Sequence, residues 1–126
     1  MNALPQQDDA EPSKPAMRCR AHKFGGSSLA DAGRIRHVAS LLLDAAEPRQ
    51  VVVVSAMQGT TNALIAMTAA AAAGEDWQST WSALRTQHTD AASALLDEPA
   101  EVHSWIDARF ADIADLATLV SGPVTP

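Results

Sequence analysis

Cysteine is nearly absent. Cys19 stands alone among 126 residues, which excludes an internal disulfide framework and any all-cysteine zinc site, and fits a reducing compartment. Positive charge is scarce as well: nine Lys and Arg face fifteen Asp and Glu, a formal net charge of −6 with histidine neutral. Binding a phosphate backbone wants a basic face, so nucleic acid is not expected as a main partner. Long apolar runs are missing too. The longest, Leu64–Ala73, is interrupted by Thr68 and falls well short of the roughly 20 residues a membrane span needs. The first sixteen residues place Asp8, Asp9 and Glu11 where a secretory signal would be apolar. His22, His37, His88 and His103 show no metal-ligand spacing with carboxylates or with Cys19, so no metal site built from side chains is expected. No fixed-period repeat occurs. These absences describe an acidic chain expected to be cytoplasmic, with no membrane or nucleic-acid partner.

What is present suits one packed domain, since 47% of the residues are hydrophobic. Residues 1–16 mix Pro, Gln and acidic side chains with almost nothing to bury and read as a disordered tail. The folded part is expected over 17–121, and residues 122–126 read as a loop that closes nothing. Arg20–Phe24 and Val51–Val54 read as strands. Four consecutive β-branched residues, rather than an alternating pattern, suit a strand covered on both faces of a parallel sheet. Between them, Ile35, Val38, Leu42 and Ala45 recur at helical spacing and predict a helix over Ala30–Ala46. Thr61–Ala73 continues as an Ala-rich helix that Gly74 is placed to end. Trp77, Trp81, Leu84, His88, Ala91 and Leu95 form one apolar seam. Val102, Ile106, Phe110, Ile113, Ala117 and Val120 form the next, the two helices making a hairpin joined around Asp97–Pro99. Trp77, Trp81 and Trp105 read as core anchors and His88 as a satisfied core histidine. The order β-α-β-α-α-α defines an α/β protein.

Chemistry concentrates where strands give way to helices. In His22-Lys23-Phe24-Gly25-Gly26-Ser27-Ser28-Leu29, a strand ends in twin glycines whose missing Cβ atoms let backbone N–H groups approach a ligand. Ser27 or Ser28 is expected to cap the helix that follows, whose N-terminal end favours an anion. Lys23 adds a mobile point charge able to follow phosphate oxygens. Lys23 precedes the glycines, so the segment is not a P-loop, and Gly25, Gly26 and Gly33 miss the dinucleotide-fold spacing. The second junction, Val54-Ser55-Ala56-Met57-Gln58-Gly59-Thr60-Thr61-Asn62, repeats the design: Gly59 turns, Thr60 or Thr61 caps, and Ser55, Thr61 and Asn62 offer hydrogen bonds. Ligands of open parallel sheets bind beyond the carboxyl ends of the strands, so neighbouring strands would aim both loops at one cavity. An ordinary pair of βα turns, with Lys23 on the surface, is the competing interpretation.

At these two loops the chain resembles aspartate kinases of the amino acid kinase superfamily. Lys23-Phe24-Gly25-Gly26-Ser27-Ser28 is similar to that family's opening signature, and Val52–Ala56 through Gly59, Thr61, Asn62 and Leu64 to its second motif. The wording around His22–Asp31 and Thr60–Leu64 is most similar to the kinase arm of bifunctional aspartate kinase–homoserine dehydrogenases. The resemblance implies an amino acid kinase-like βα-layered fold, incomplete, with two parallel strands and a helical hairpin insertion, residues 17–121 forming the N-terminal portion of the catalytic domain. It implies phosphorylation of the β-carboxylate of L-aspartate by ATP, with Mg²⁺ held through the phosphates, at the entry to lysine, threonine and methionine synthesis. By position, Lys23 would be catalytic. Lys23, Gly25, Gly26 and Ser27 would contact ATP, and Ser55 and Thr61 aspartate. The family's later Gly-Glu motif, its acidic catalytic residue and its substrate-gripping arginine have no counterpart here, so the chain alone is expected to be inactive, to need the rest of a kinase domain and to oligomerise. Another phosphotransferase of the superfamily, or a non-catalytic anion-binding module, are the alternatives.

Overall fold

Valines branched at Cβ lose little by becoming extended, and the run after Pro48 does so. The computed structural model describes residues 19–122; the tail over 1–16 and all but Gly122 of the loop over 122–126 lie outside the described residues. Strand β1, Arg20–Phe24, pairs in parallel with β2, Gln50–Val54, with Arg20 opposite Gln50, Lys23 opposite Val53 and Phe24 opposite Val54. The ladder continues just past each end, where the Arg20 N–H donates to the Arg49 carbonyl at 3.1 Å and the Ser55 N–H to the Phe24 carbonyl at 3.0 Å. The connection contains α1, Ala32–Asp44. It is followed by α2, Thr60–Ala72, α3, Gln78–Leu95, and α4, Ala100–Ser121. This is the expected α/β order, with the two strands forming a two-stranded parallel sheet.

Helix α1 begins two residues later than expected because Asp31, not Ser27 or Ser28, is its N-cap: an Asp31 carboxylate oxygen accepts the Arg34 N–H at 2.9 Å. Ser27 and Ser28 lie instead in a 3-10 turn over Gly26–Leu29, whose preceding residue Gly25 is extended and gives no side-chain cap. The expected threonine cap of α2 is also absent. Gly59 takes that position with φ +89°, and neither Thr60 nor Thr61 caps by its side chain. At the far end Gly74 (φ +72°) ends α2 as expected: its N–H bonds the Ala71 carbonyl at 3.1 Å and the Glu75 N–H reaches the Ala70 carbonyl at 2.8 Å.

The core sits among α2, α3 and α4, which pack on one another. One cluster joins Met67, Ala71, Trp77 and Ala117; another joins Leu84, Ala92, Ile106 and Phe110, with Leu64, Trp81 and Ile113 touching both. Trp81 lies edge-on to Phe110 and its Nε1–H donates to the Phe110 carbonyl at 2.8 Å, so its polar edge is satisfied in an apolar setting. His88 fits the expected satisfied role: Nδ1 lies 2.9 Å from the Leu84 carbonyl and its ring packs near Phe110. Helix α1 is tied on by the Arg36 guanidinium, which donates to the Ala94 carbonyl of α3 at 2.6 Å.

Two expectations about burial fail. Trp105 is 62% exposed rather than a core anchor. It sits about 100° around the helix from Ile106, which faces the core, and the Arg109 guanidinium lies 5.7 Å from its ring centroid. The valines of β2 are not covered on both faces either: Val51 to Val54 are 41–56% exposed. A two-stranded sheet offers no second layer to close over them, and the helices bury their apolar faces mainly against each other.

Candidate functional site

The carboxyl ends of β1 and β2 lie side by side because the strands are parallel and in register, so the chain leaves both at the same edge. From β1 it enters Gly25 and the Gly26–Leu29 turn; from β2 it enters Ser55–Gly59 and then α2. The two loops enclose an open cleft of about 290 Å³ lined by Gly26, Ser27, Ser55, Ala56, Met57, Gln58, Gly59, Thr61 and Asn62. Its lining is mainly polar. A wider groove of about 530 Å³ runs along α2 past Leu64, Ile65 and Ala69. That groove is almost wholly apolar and offers an anion no ring of donors.

Of the residues singled out by sequence, Gly26, Ser27, Ser55 and Thr61 meet in this cleft. Gly25 and Lys23 are not part of its wall. Gly25 is the extended residue that carries the chain out of β1. Lys23 lies one residue before the end of β1, on the exposed side of a strand that half-buries His22 and Phe24 on the other. No ion pair engages it among the described residues.

The cleft is rich in unfilled hydrogen-bonding capacity. Neither the Gly26–Leu29 turn nor α2 is capped by a side chain, so N–H groups at both starts point toward the loops without a side-chain acceptor. Beside the wall, the Thr60 Oγ1 is buried without a partner. A Cβ built on Gly26 would come 3.7 Å from the Ala56 carbonyl oxygen and 3.9 Å from the Gln58 Cα, so the missing methyl keeps the gap between the loops open. Gly59 contributes differently, by a left-handed φ that turns the chain from β2 into α2.

Several residues that hold this geometry escaped sequence reasoning. Gln87 of α3 donates through Nε2 to the Gln58 carbonyl at 3.2 Å and pins the second loop to the helical hairpin. Arg34 of α1 reaches the Ser27 carbonyl at 3.4 Å and places a guanidinium behind the first loop. The first spans 29 residues and the second seven, and no local pattern signals either. Asp31 did carry a signal, an aspartate immediately ahead of an amphipathic helix. Met57, expected to serve packing, borders both the cleft and a neighbouring pocket with Ala91 and Ala94 of α3. Among the described residues no group of three or more His, Cys, Asp or Glu could hold a metal ion.

The chemistry this arrangement offers is anion recognition by backbone donors and small hydroxyls at helix starts, with cations nearby. Comparison with known proteins points the same way. The bifunctional aspartokinase/homoserine dehydrogenase 2 of Escherichia coli (strain K12) is 38% identical over 109 residues, covering 82% of this chain and 13% of that protein. Aspartokinase 1, chloroplastic, of Arabidopsis thaliana is 54% identical over 43 residues, 34% of this chain and 8% of its own length. Among solved structures, E. coli aspartokinase III in complex with aspartate and ADP superposes with a TM-score of 0.72 at 27% identity, over 86% of this chain and 24% of that one. The chain therefore spans about an eighth of the first of these relatives and about a quarter of the solved one. The profile of the amino acid kinase family matches residues 18–120, and with the parallel sheet and the loop cleft in place, the chain belongs to that family.

Proposed function

We propose that the chain supplies the nucleotide-phosphate side and part of the acceptor side of an aspartokinase site, for transfer of the ATP γ-phosphoryl group to the β-carboxylate of L-aspartate. The observation that carries this reading is the single polar cleft shared by the two strand-end loops. Phosphoryl transfer is chiefly positioning and charge stabilisation, and the cleft provides parts suited to both. Gly25, Gly26 and Ser27 would present N–H groups to the phosphates. Lys23 would swing from the end of β1 to neutralise charge on the group in flight. Ser55 and Thr61, on the opposite loop, would hydrogen-bond the aspartate. With no protein metal cluster among the described residues, Mg²⁺ would be held through the phosphates, neutralising part of their charge. The solved relative's complex with aspartate and ADP, and the curated aspartokinase relatives, support this choice of substrates over other acceptors of the family.

Titrating isotope-labelled full chain with ADP or ATP and following amide shifts tests the reading. Shifts confined to 25–28 and 55–62 are expected, and aspartate should shift Ser55 and Thr61 but not Gly25. Lys23→Ala should weaken nucleotide binding about tenfold, the scale of one lost charge-assisted hydrogen bond, with an unchanged melting temperature. Gly26→Ala should do the same by narrowing the gap between loops, because its Cβ meets only ordinary contacts in the fold. Nucleotide shifts centred on the α2 groove, or a Lys23→Ala protein that binds as the parent does, would overturn the proposal.

A further inference from the structure

The turn that leads from β2 into α2 is of a kind with two backbone forms. The Thr60 N–H donates to the Met57 carbonyl at 3.1 Å and closes a four-residue turn with Gln58 and Gly59 at its centre. Gly59, at φ +89° and ψ −10°, has the third-residue geometry of a type II turn. A type I turn closes with the same hydrogen bond and differs by rotating the central peptide through half a revolution. Glycine in the third position accepts either form, because it takes both signs of φ without steric cost. The Gln58–Gly59 peptide is therefore an element that something outside the turn must orient.

Gln87 supplies that orientation. Its Nε2 donates to the Gln58 carbonyl at 3.2 Å, and it does so from α3, across Met57. Gln87 lines the neighbouring pocket with Met57, Asp90 and Ala91, whereas Gln58 and Gly59 line the cleft. A trans peptide is planar, so its C=O and N–H point opposite ways. With the Gln58 carbonyl turned toward α3, the Gly59 N–H faces the cleft side. Rotation to the type I form would bring the carbonyl oxygen round to the cleft and withdraw the N–H. For an anion the two forms differ in sign: one offers the positive end of a peptide dipole, the other the negative end.

We infer that Gln87 is a positioning residue of the cleft: by holding the Gln58 carbonyl against α3, it keeps the Gln58–Gly59 peptide in the orientation that presents an N–H to a bound anion. The helical hairpin thereby sets the sign of the charge that the second loop shows to a ligand, although Gln87 itself stands outside the cleft wall. Apparent affinity scales with the fraction of molecules in the competent turn, so the single hydrogen bond that biases the turn carries through to binding. The ligand part of the inference rests on the proposed reading of the cleft as a phosphate and carboxylate site, while the turn itself is measurable with no ligand present.

Isotope-labelled full chain and two variants test this. Gln87→Met removes the donor while keeping an uncharged side chain of similar reach, and Gln87→Lys restores a donor. Three-bond couplings and the residual dipolar coupling of the Gly59 N–H read the sign of its φ in the ligand-free chain. Positive φ is expected in the parent and in Gln87→Lys, and a mixture with negative φ in Gln87→Met. ADP affinity should fall about fivefold in Gln87→Met, the scale of one neutral hydrogen bond. Gly59 keeping its positive φ in Gln87→Met, or ADP bound by that variant within about twofold of the parent, overturns the inference. Should ADP fail to bind the parent while the Gly59 turn still reverses in Gln87→Met, the phosphoryl-transfer reading falls and the role of Gln87 in the turn stands.

Discussion

Single residues act here mainly through backbone conformation and capping. Gly59 sits at φ +89° with no atom within 4 Å of where a Cβ would stand, so any penalty for a side chain is purely conformational. Gly59→Ala should cost about 1 kcal/mol, the price of left-handed backbone for an L-residue, and Gly59→Asn less, because Asn tolerates that region; chemical denaturation measures both. Asp76, just ahead of α3, is held in its charged form by Ser79. The Ser79 hydroxyl, 2.5 Å away, and then the Ser79 N–H, at 3.2 Å, hold its carboxyl below the ordinary carboxylate range. A carboxyl lowered in the folded state stabilises above its unfolded value of about 3.9 and loses that contribution as pH falls through its folded value. Asp76→Asn should therefore lower the melting temperature at pH 7, and the gap from the parent should close as pH falls below the ordinary carboxylate range; melting curves from pH 2 to 8 read this directly. Asp76 lies just before α3 and could be found in sequence by its spacing to Ser79. The partners of Gln87 and Arg34 could not, because each reaches a loop remote in sequence or carries no periodic mark.

At the scale of elements, periodicity was informative about which helices form and less so about which side chains they bury. The seam from Trp77 to Leu95 and the stripe through Ile106, Phe110, Ile113 and Ala117 do face each other. Val102 and Val120, at the ends of that stripe, remain 39% and 51% exposed; at the Val120 end the 22-residue helix outruns its 18-residue partner α3. Two tryptophans separate packing from mere hydrophobicity. Trp81→Ala should cost about 3–5 kcal/mol, since it empties the space between both core clusters and removes the indole hydrogen bond to the Phe110 carbonyl. Trp105→Ala should cost less than about 1 kcal/mol, the loss being an exposed stacking contact with Arg109. Urea denaturation of the two variants would show the contrast, and equal costs would place Trp105 in the core after all. The Arg85–Asp107 pair between α3 and α4, at 2.6 Å but with both side chains well exposed, should contribute under about 1 kcal/mol.

At the scale of the whole molecule, parallel pairing of β1 and β2 brings two loops distant in sequence to one edge. The cleft between them assembles groups suited to an anion, while the chain spans 24% of the length of the solved aspartokinase it resembles in fold. We expect purified full chain to be stabilised thermally by ADP yet to form no aspartate-dependent ADP from ATP above background. Turnover lost in Lys23→Ala would contradict this. Much of this molecule could be read from residue order alone: the α/β class, both strands, the helical hairpin and the two strand-end loops. Each depends on local spacing, on β-branching, or on glycine at a turn, which act over a few neighbouring residues. The cap by Asp31 was legible in principle and lost to the competing serines. Tertiary structure alone decided that the loops share one cleft, that Gln87 pins the second of them, that Trp105 faces solvent and that the valines of β2 stay bare. Those outcomes are set by parallel register and by which helix faces meet, and such pairings between distant segments depend on the packing of the entire chain rather than on the preference of any part.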